Sequence, residues 1–493
     1  MSAAPDFASD RAPDRAPDRA PDFSAIAGVP GPRRMPLLGW RANLLRFFSD
    51  PIAYMDALPS VRGVIPFVAG GCPPVMLRGP GPSVFALGGA CNKAILGDME
   101  GFYSQAIPGP PGSFSRLTAG LFSLNTTQHA QQRRLIQPAF HKRRVEGYRD
   151  DMVALTNRML DGWAAGETRD VLPELQKLTL AIASRTLFGI EVGDDTRSLG
   201  TQILEVVDRS MSPLTIVSPD LPGFPRRRLV EASTRVEAGL RAIIAQKRAD
   251  GREDPDVLAT LIRTRDEAGE ALTDDELIGQ VFLLFFAGHD TTRNALAWTL
   301  FLLSQHPAVA DALVDELDSV LHGDAPTMEQ LARLPLLDGV VKEGLRLFPP
   351  APMTARIAMR PVTLDGRDLP AGTEVILSYY HTHRDPDVFA EPTRFLPKRW
   401  ETIAPTPYEY VPFGGGARQC IGAGFASLEI RVVLALLLQR FRPVLAAGTN
   451  VGRQTSVVLS PHPGLPMVLH PRGARVTAPA MTGKVREMVT LEG

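Results

Sequence analysis

The chain has 493 residues, 44% of them hydrophobic and 22% charged, with a formal net charge of -1. That is ordinary globular composition, and the near-zero charge argues against a nucleic-acid-binding protein. Cys72, Cys91 and Cys420 are odd in number and far apart, so neither a disulfide framework nor a CxxC pair is expected, and a reducing compartment is. Length alone suggests about three domains at ~150 residues each. No repeat or Pro/Gly-rich linker divides residues 40–470, however, and one large domain fits as well. There is no initial apolar run of about 18 residues and no basic stretch leading into an apolar one, so neither a membrane anchor nor an export signal is expected. The expectation is a cytoplasmic protein.

In chain order, residues 1–24 carry Asp-Arg-Ala-Pro three times, from Asp10, Asp14 and Asp18. A proline every fourth residue forbids a continuous helix, and there is little to bury; a disordered tail is expected, with the main domain over 25–475. Val64–Phe67 and Pro74–Leu77 read as short strands. The Pro/Gly-rich stretch Gly101–Gly112 carries Phe102, Tyr103 and Ile107, with Phe114 nearby. His129 and Arg133 lie four apart and share a helix face; two donors there can grip a carboxylate, or they form a solvated basic face. Lys142-Arg143-Arg144 is a basic cluster of the kind that docks an acidic protein. Val153–Phe188 and Ser198–Met211 read as helices, and Pro213–Pro225 as a proline-broken loop with Leu214, Ile216, Val217, Leu221 and Phe224.

Thr273-Asp274-Asp275-Glu276 fits a capping box. Apolar periodicity continues to about Gln305 and Pro307 stops it, giving a helix of roughly 33 residues, ~50 Å long. In its middle stands Phe286-Ala287-Gly288-His289-Asp290-Thr291-Thr292. The Thr291 hydroxyl can reach back to the Ala287 carbonyl and bend the helix. Asp290 can pass protons inward or simply pair with Arg293 at i,i+3. Glu343 and Arg346 stand at ion-pair spacing on an apolar helix, with Arg399 downstream as a second guanidinium for a buried carboxylate. Arg356 sits in a probable strand after Met353. Then comes Phe413-Gly414-Gly415-Gly416-Ala417-Arg418-Gln419-Cys420-Ile421-Gly422, ahead of a helix over Ala423–Arg440 with Phe425, Leu428, Val432 and Leu436 at helical spacing. Glycines let peptide N–H groups approach a sulfur, and a helix N-terminus favours the thiolate. Alone, such a cysteine can equally be an inert core residue. Thr455–Leu459 and Pro466–Leu469 read as a final hairpin, and from Arg472 the pattern fades into a tail, placed at 476–493.

The order Phe413-x-x-Gly416-x-Arg418-x-Cys420-x-Gly422 resembles the haem-binding loop of the cytochrome P-450 family, with every fixed position filled. Ala287-Gly288-x-Asp290-Thr291, Glu343-x-x-Arg346, Arg399 and His129-x-x-x-Arg133 resemble other signatures of that family, in its order, across residues 29–471. His129 stands where members have Trp or His; Lys398 departs from a common Glu. The resemblance implies a mainly α, single-domain fold with small β-sheets, a triangular prism with haem between the long helix and the cysteine loop. It implies haem b (iron protoporphyrin IX) with Cys420 as the iron ligand, and His129, Arg133, Arg356 and Arg418 on the propionates beside Phe413. Thr291 and Asp290 would deliver protons, while Glu343, Arg346 and Arg399 would brace the loop. Phe102, Phe114, Leu214, Phe286, Ala287, Met353 and Val457 would line an oily pocket. The implied reaction puts one atom of dioxygen into a hydrophobic small molecule such as a fatty acid, terpenoid or polyketide. Its electrons would come from separate proteins, a ferredoxin and its reductase. A haem-thiolate ligand-binding or gas-sensing protein, and an isomerase or peroxygenase on the same fold, are the other readings.

Overall fold

The helix Asp274–Gln305 organises the molecule, and its ends are set by local chemistry. The Thr273 hydroxyl accepts from the Glu276 N–H (3.3 Å) and the Glu276 carboxylate accepts from the Thr273 N–H (2.8 Å), the reciprocal cap the sequence predicts. Pro307 opens the next helix, Pro307–Leu321. From Asn294 to Gln305 every residue is buried, so this half of the helix is core on all sides. The computed structural model describes residues 23–491 apart from 27, 36–37, 106–108, 191–198, 213, 216–217, 252–253 and 456. The predicted tail up to residue 22, and Ile107, Ser198, Pro213, Ile216 and Val217, therefore lie outside the described residues.

Around this axis pack Val171–Phe188, Pro335–Leu347 and Ala423–Arg440, the last with the bounds expected. Glycines allow the closest approaches. A Cβ on Gly344 would stand 2.6 Å from the Thr299 Oγ1 of the long helix, and one on Gly339 would stand 2.6 Å from the Pro397 carbonyl. The strands are β1 (Gly63–Pro66), β2 (Ser83–Leu87), β3 (Phe102–Tyr103), β4 (Thr168–Asp170), β5 (Met353–Ala358), β6 (Val362–Leu364), β7 (Arg367–Leu369), β8 (Glu374–Ser378), β9 (Phe441–Leu445), β10 (Gly452–Thr455), β11 (Leu459–His462) and β12 (Pro466–Pro471). Five form one sheet in the order β1-β2-β8-β5-β3, parallel only between β2 and β8. The others make β4-β12-β9, β10-β11 and β6-β7. This is the mainly α, single-domain architecture with small sheets that the resemblance implies. Among the described residues no helix is long and apolar enough to cross a membrane.

Several expectations are corrected. Pro74–Leu77 is no strand: the N–H groups of Val75, Met76 and Leu77 converge on the buried Glu374 carboxylate at 2.7, 2.8 and 2.6 Å, which removes them from any ladder. The helix read over 153–188 is two, Arg149–Asp161 and Val171–Phe188, because the chain turns at Gly162 and runs through β4. Pro225 begins a helix rather than ending a loop: Pro225–Asp250 has 26 residues, and proline is well suited to that first position. The predicted final hairpin is split between sheets, since β10 pairs with β11 while β12 pairs with β4 and β9. The C-terminal stretch is packed, not a tail. Met481, Val485, Met488 and Val489 are buried, and Arg384 donates to the Met488 carbonyl at 3.0 Å. At the other end Ser24–Ile26 forms a turn whose Ile26 is fully buried.

Thr299 cannot step aside for a larger neighbour, because its hydroxyl is held by the Ala295 carbonyl at 2.7 Å. Gly344→Ala is expected to lower unfolding free energy by about 1–3 kcal/mol through overpacking, read from urea denaturation. An unchanged midpoint would show that the two helices part freely there.

Candidate active site

The cysteine loop is shaped by its glycines. Gly414 and Gly416 take φ of 67° and 64°, and a Cβ on Gly416 would lie 2.0 Å from the Leu96 carbonyl oxygen; no other residue fits there. The turn returns the chain so that the Cys420 N–H donates to the Phe413 carbonyl at 2.8 Å. The next helix starts at Ala423. Cys420 is exposed while Cys72 and Cys91 are buried. Its surface is open yet the sulfur lies deep, at the bottom of a cleft. That depth pushes its thiol up, whereas the Gly422 N–H and the nearby Arg133 charge pull it down.

Three guanidinium groups and one imidazole gather on this cleft. His129 and Arg133 come from the helix Thr126–Ile136, Arg356 from β5, and Arg418 from the loop itself. Arg418 donates to Asn125 Oδ1 at 2.7 Å and to the Leu121 carbonyl at 3.3 Å, and its Nε has no partner. Arg356 reaches only Thr354 Oγ1 and its neighbour's carbonyl, at 2.9 and 2.7 Å. His129 is buried with Nδ1 unpartnered. Burial, then Arg418, Arg133 and Arg356, hold it down at about 4. Burial, then Arg356, brings Arg418 down to about 10. None of the four has a carboxylate partner among the described residues. So many desolvated donors without an anion are costly, and a ligand bearing carboxylates would answer the charge. A soft thiolate beneath and a cationic rim beside it fit haem.

The middle of the long helix carries the other expected residues. The Thr291 hydroxyl donates to the Ala287 carbonyl at 2.7 Å, as predicted, and Thr292 repeats the bond to Gly288 at 2.9 Å. The helix stays α-helical throughout. Asp290 is paired with Arg293 at 2.7 Å, the plainer of its two readings. The oily set does not form one wall. Phe286, Ala287 and Met353 are half-buried, but Phe102 is buried in the smaller core beside the five-stranded sheet and Phe114 in the main core. Val457 and Leu214 are exposed.

Behind the loop, Glu343 is buried with Arg346, both side chains at 0% exposure. Its carboxylate accepts from Arg346 Nε and Nη2 (2.9 and 2.8 Å) and Arg399 Nε (3.0 Å). Trp400 Nε1 (3.0 Å) and the Leu396 N–H (3.1 Å) complete the set. The two arginines were expected; the Trp400 and Leu396 donors were not, though Trp400 adjoins Arg399 in sequence. Arg346 also donates to the His383 and Pro392 carbonyls at 2.8 and 2.7 Å. His383 then bridges onward. Nδ1 lies 3.2 Å from the Arg346 carbonyl and so carries the proton, leaving Nε2 to accept from the Val411 N–H at 2.9 Å. Val411 stands two residues before Phe413. Sequence reasoning also passed over Glu429, which is buried in the helix after Cys420 with Oε1 unpartnered.

The two walls are tied laterally. The Leu121 carbonyl accepts from Arg418, and its N–H donates to Gln280 Oε1 on the long helix at 3.2 Å. Gln280 donates to Gln132 Oε1, and Gln132 donates to Glu276 at 2.7 Å. Gln132 precedes Arg133, so two of the three segments that line the cleft, the loop and the helix Thr126–Ile136, are fastened to the long helix.

Comparison with known proteins agrees with this geometry. A sequence model of the family described as Cytochrome P450 matches residues 78–467. Cyclooctat-9-en-7-ol 5-monooxygenase of Streptomyces melanosporofaciens is 32% identical over 458 residues, covering 90% of this chain and 95% of its own. Pentalenene oxygenase of Streptomyces avermitilis is 32% identical over 373 residues, covering 74% and 80%. Among solved structures, the retinoic acid-bound cyanobacterial CYP120A1 superposes with a TM-score of 0.74 at 25% identity, covering 90% of this chain and 100% of that one.

Glu343→Gln strips the charge from a carboxylate that neutralises two buried guanidinium groups. It is expected to cost about 3–5 kcal/mol of stability in denaturant melts, and a loss near zero would mean that Glu343 does not brace the loop. His383 is held down at about 3, chiefly by burial and then by Arg346 and Arg384, against an ordinary value of 6.5. The unfolded chain therefore takes up the proton first. The stability His383 confers is whole above pH 6.5 and is lost as pH falls from 6.5 toward 3. In acid melts His383→Gln should flatten that slope; an identical slope would show that His383 is not the group being protonated.

Proposed function

The chain belongs to the cytochrome P450 family and is a haem-dependent monooxygenase of it, and on that premise we propose that it inserts one oxygen atom into a cyclic terpenoid, using haem b held by Cys420. The observation that carries the site is the exposed Cys420 just before a helix, flanked by the His129 imidazole and three guanidinium groups with no carboxylate partner among the described residues. Haem bound there supplies dioxygen activation and oxygen-atom transfer, which a thiolate ligand favours.

The chain's own residues then have distinct tasks. The Gly422 N–H and the Arg133 charge oppose the burial that pushes the Cys420 thiol up. His129, Arg133, Arg356 and Arg418 would hold the propionates. The Thr291 hydroxyl, its proton committed to the Ala287 carbonyl, keeps lone pairs that can hold a water. The Asp290 carboxylate, one helical position earlier, passes protons to that water once Arg293 loosens its hold. Glu343, Arg346 and Arg399 keep the loop from relaxing. The half-buried Phe286, Ala287 and Met353 exclude water from the substrate side.

P450 enzymes draw electrons from separate redox partners, and here a ferredoxin with its reductase is the proposed source. The exposed Lys142, Arg143 and Arg144 offer it a basic landing surface. The terpenoid class rests on the relatives, whose names give cyclooctat-9-en-7-ol and pentalenene as what they oxidise.

The test uses purified haem protein with a surrogate ferredoxin, its reductase and NADPH. Cyclic diterpene alcohols and sesquiterpenes are expected to shift the iron spin state on binding and to yield products one oxygen heavier. Turnover confined to fatty acids would remove the terpenoid assignment. Thr291→Ala should lower product formed per NADPH by about tenfold or more, within the range for a lost proton-transfer group, with peroxide appearing instead. Unchanged coupling would strip Thr291 of its part.

A further inference from the structure

His289 and Arg293 stand four apart on the long helix and share a face. Both line a cavity of about 230 Å³ between that helix, the helix Leu199–Met211 and the β10–β11 hairpin. Each carries one buried nitrogen with no hydrogen-bond partner among the described residues, Nε2 of His289 and Nε of Arg293. The two are opposite in kind. Nδ1 of His289, a residue 1% exposed, lies 2.9 Å from the Phe285 carbonyl. A carbonyl can only accept, so Nδ1 holds the hydrogen and Nε2 is a bare lone pair. Burial, the largest influence on the ring, pushes its titration down and keeps it neutral. A guanidinium Nε can only donate. The Nη2 of Arg293 is already engaged, 2.7 Å from Asp290 and 3.4 Å from Ser460 Oγ.

A buried acceptor and a buried donor left unanswered side by side are costly, and together they select what fits. An ammonium answers only the acceptor and a ketone only the donor. A hydroxyl answers both, since it gives one hydrogen bond and takes another. Leu204, Val207, Phe286 and Val458 add apolar wall for the carbon that carries it. The cavity is smaller than the roughly 300–1,000 Å³ that encloses a whole drug-sized ligand, so it takes one end of a guest. We propose that it recognises an aliphatic hydroxyl already present on the substrate, which donates to Nε2 of His289 and accepts from Nε of Arg293. The proposal rests on the terpenoid oxygenation put forward above and narrows it to a terpene alcohol in place of the parent hydrocarbon. A site built around a substrate hydroxyl turns away the analogue lacking it, because its own polar groups are then left unpaired. The step that supplies this substrate must itself install a hydroxyl, by water capture of a carbocation on ring closure or by an earlier oxygenation.

Matched pairs, a cyclic terpene alcohol and its deoxy hydrocarbon, are titrated into the haem protein by calorimetry and by the iron spin state. Wild type should bind the alcohol at least about tenfold more tightly than its partner. His289→Phe keeps an aromatic ring beside Phe285, 5.6 Å between centroids in the wild type, and removes both nitrogens; it should cut the preference below about threefold. A preference that survives in His289→Phe, as it would for a hydroxyl bound to iron, overturns the proposal. Equal affinity for the two members of a pair in wild type also overturns it, since water would then answer both nitrogens. A short alkanol such as butanol, small enough to enter alone, should weaken binding of the terpene alcohol. If it instead tightens binding of the hydrocarbon, the hydroxyl belongs to a separate effector and its assignment to the substrate is overturned. These last two measurements do not depend on the variant folding. Linear alkanols and alkanes are run in parallel. If no terpenoid of either kind binds, the terpenoid reading fails by itself; a tenfold preference for alkanol over alkane that His289→Phe abolishes then upholds the hydroxyl site, and equal affinities sink it.

Discussion

One buried carboxylate sets the rest in place. Glu343 has no access to solvent and receives five hydrogen bonds, three from guanidinium nitrogens, one from an indole and one from a peptide. In a low-dielectric interior such a set is tolerable only if every lone pair is answered, and here it is. The arginines spend their remaining donors on backbone carbonyls at His383, Ala390, Pro392 and Arg394. Charge burial thereby becomes geometric order: the segment leading to the cysteine is pinned through peptide groups rather than through side chains that could repack. His383 extends the same logic to Val411 with a single defined tautomer.

The cleft in front is built on the opposite principle. Around Glu343 every buried charge is matched, whereas in front three guanidinium groups are left without carboxylates among the described residues and one thiol is left open. That asymmetry separates scaffold from site within a few residues: Arg346 is satisfied and Arg418 keeps an orphaned Nε. Perturbed groups without internal partners mark functional surfaces more reliably than perturbed groups with them.

Much of this was legible in the sequence because the chemistry is local. The capping box at Thr273, the bounds of Ala423–Arg440, the Thr291–Ala287 bond and the Glu343–Arg346 pair each follow from spacing within one or two helical turns. What was not legible depended on distant segments. Pro74–Leu77 has the composition of a strand, but its N–H groups are claimed by Glu374, about 300 residues away along the chain. The C-terminal stretch looked like a tail because its apolar residues are sparse, yet Met481, Val485 and Met488 find a groove already formed. Phe102 reads equally well as pocket or core, and only the pairing of β3 with β5 places it in the core. The cations of the cleft come from three separated parts of the chain, and the family pattern, not the spacing, brought them together.

The lateral tie between Arg418, Leu121, Gln280, Gln132 and Glu276 gives the two halves of the cleft a common mechanical frame. Each link is a short polar contact between otherwise separate elements, so a tilt of the long helix strains the Leu121 peptide and the helix bearing Arg133 together. Pressure on the long helix is in this way carried to the opposite rim, where Arg133 and Arg418 stand.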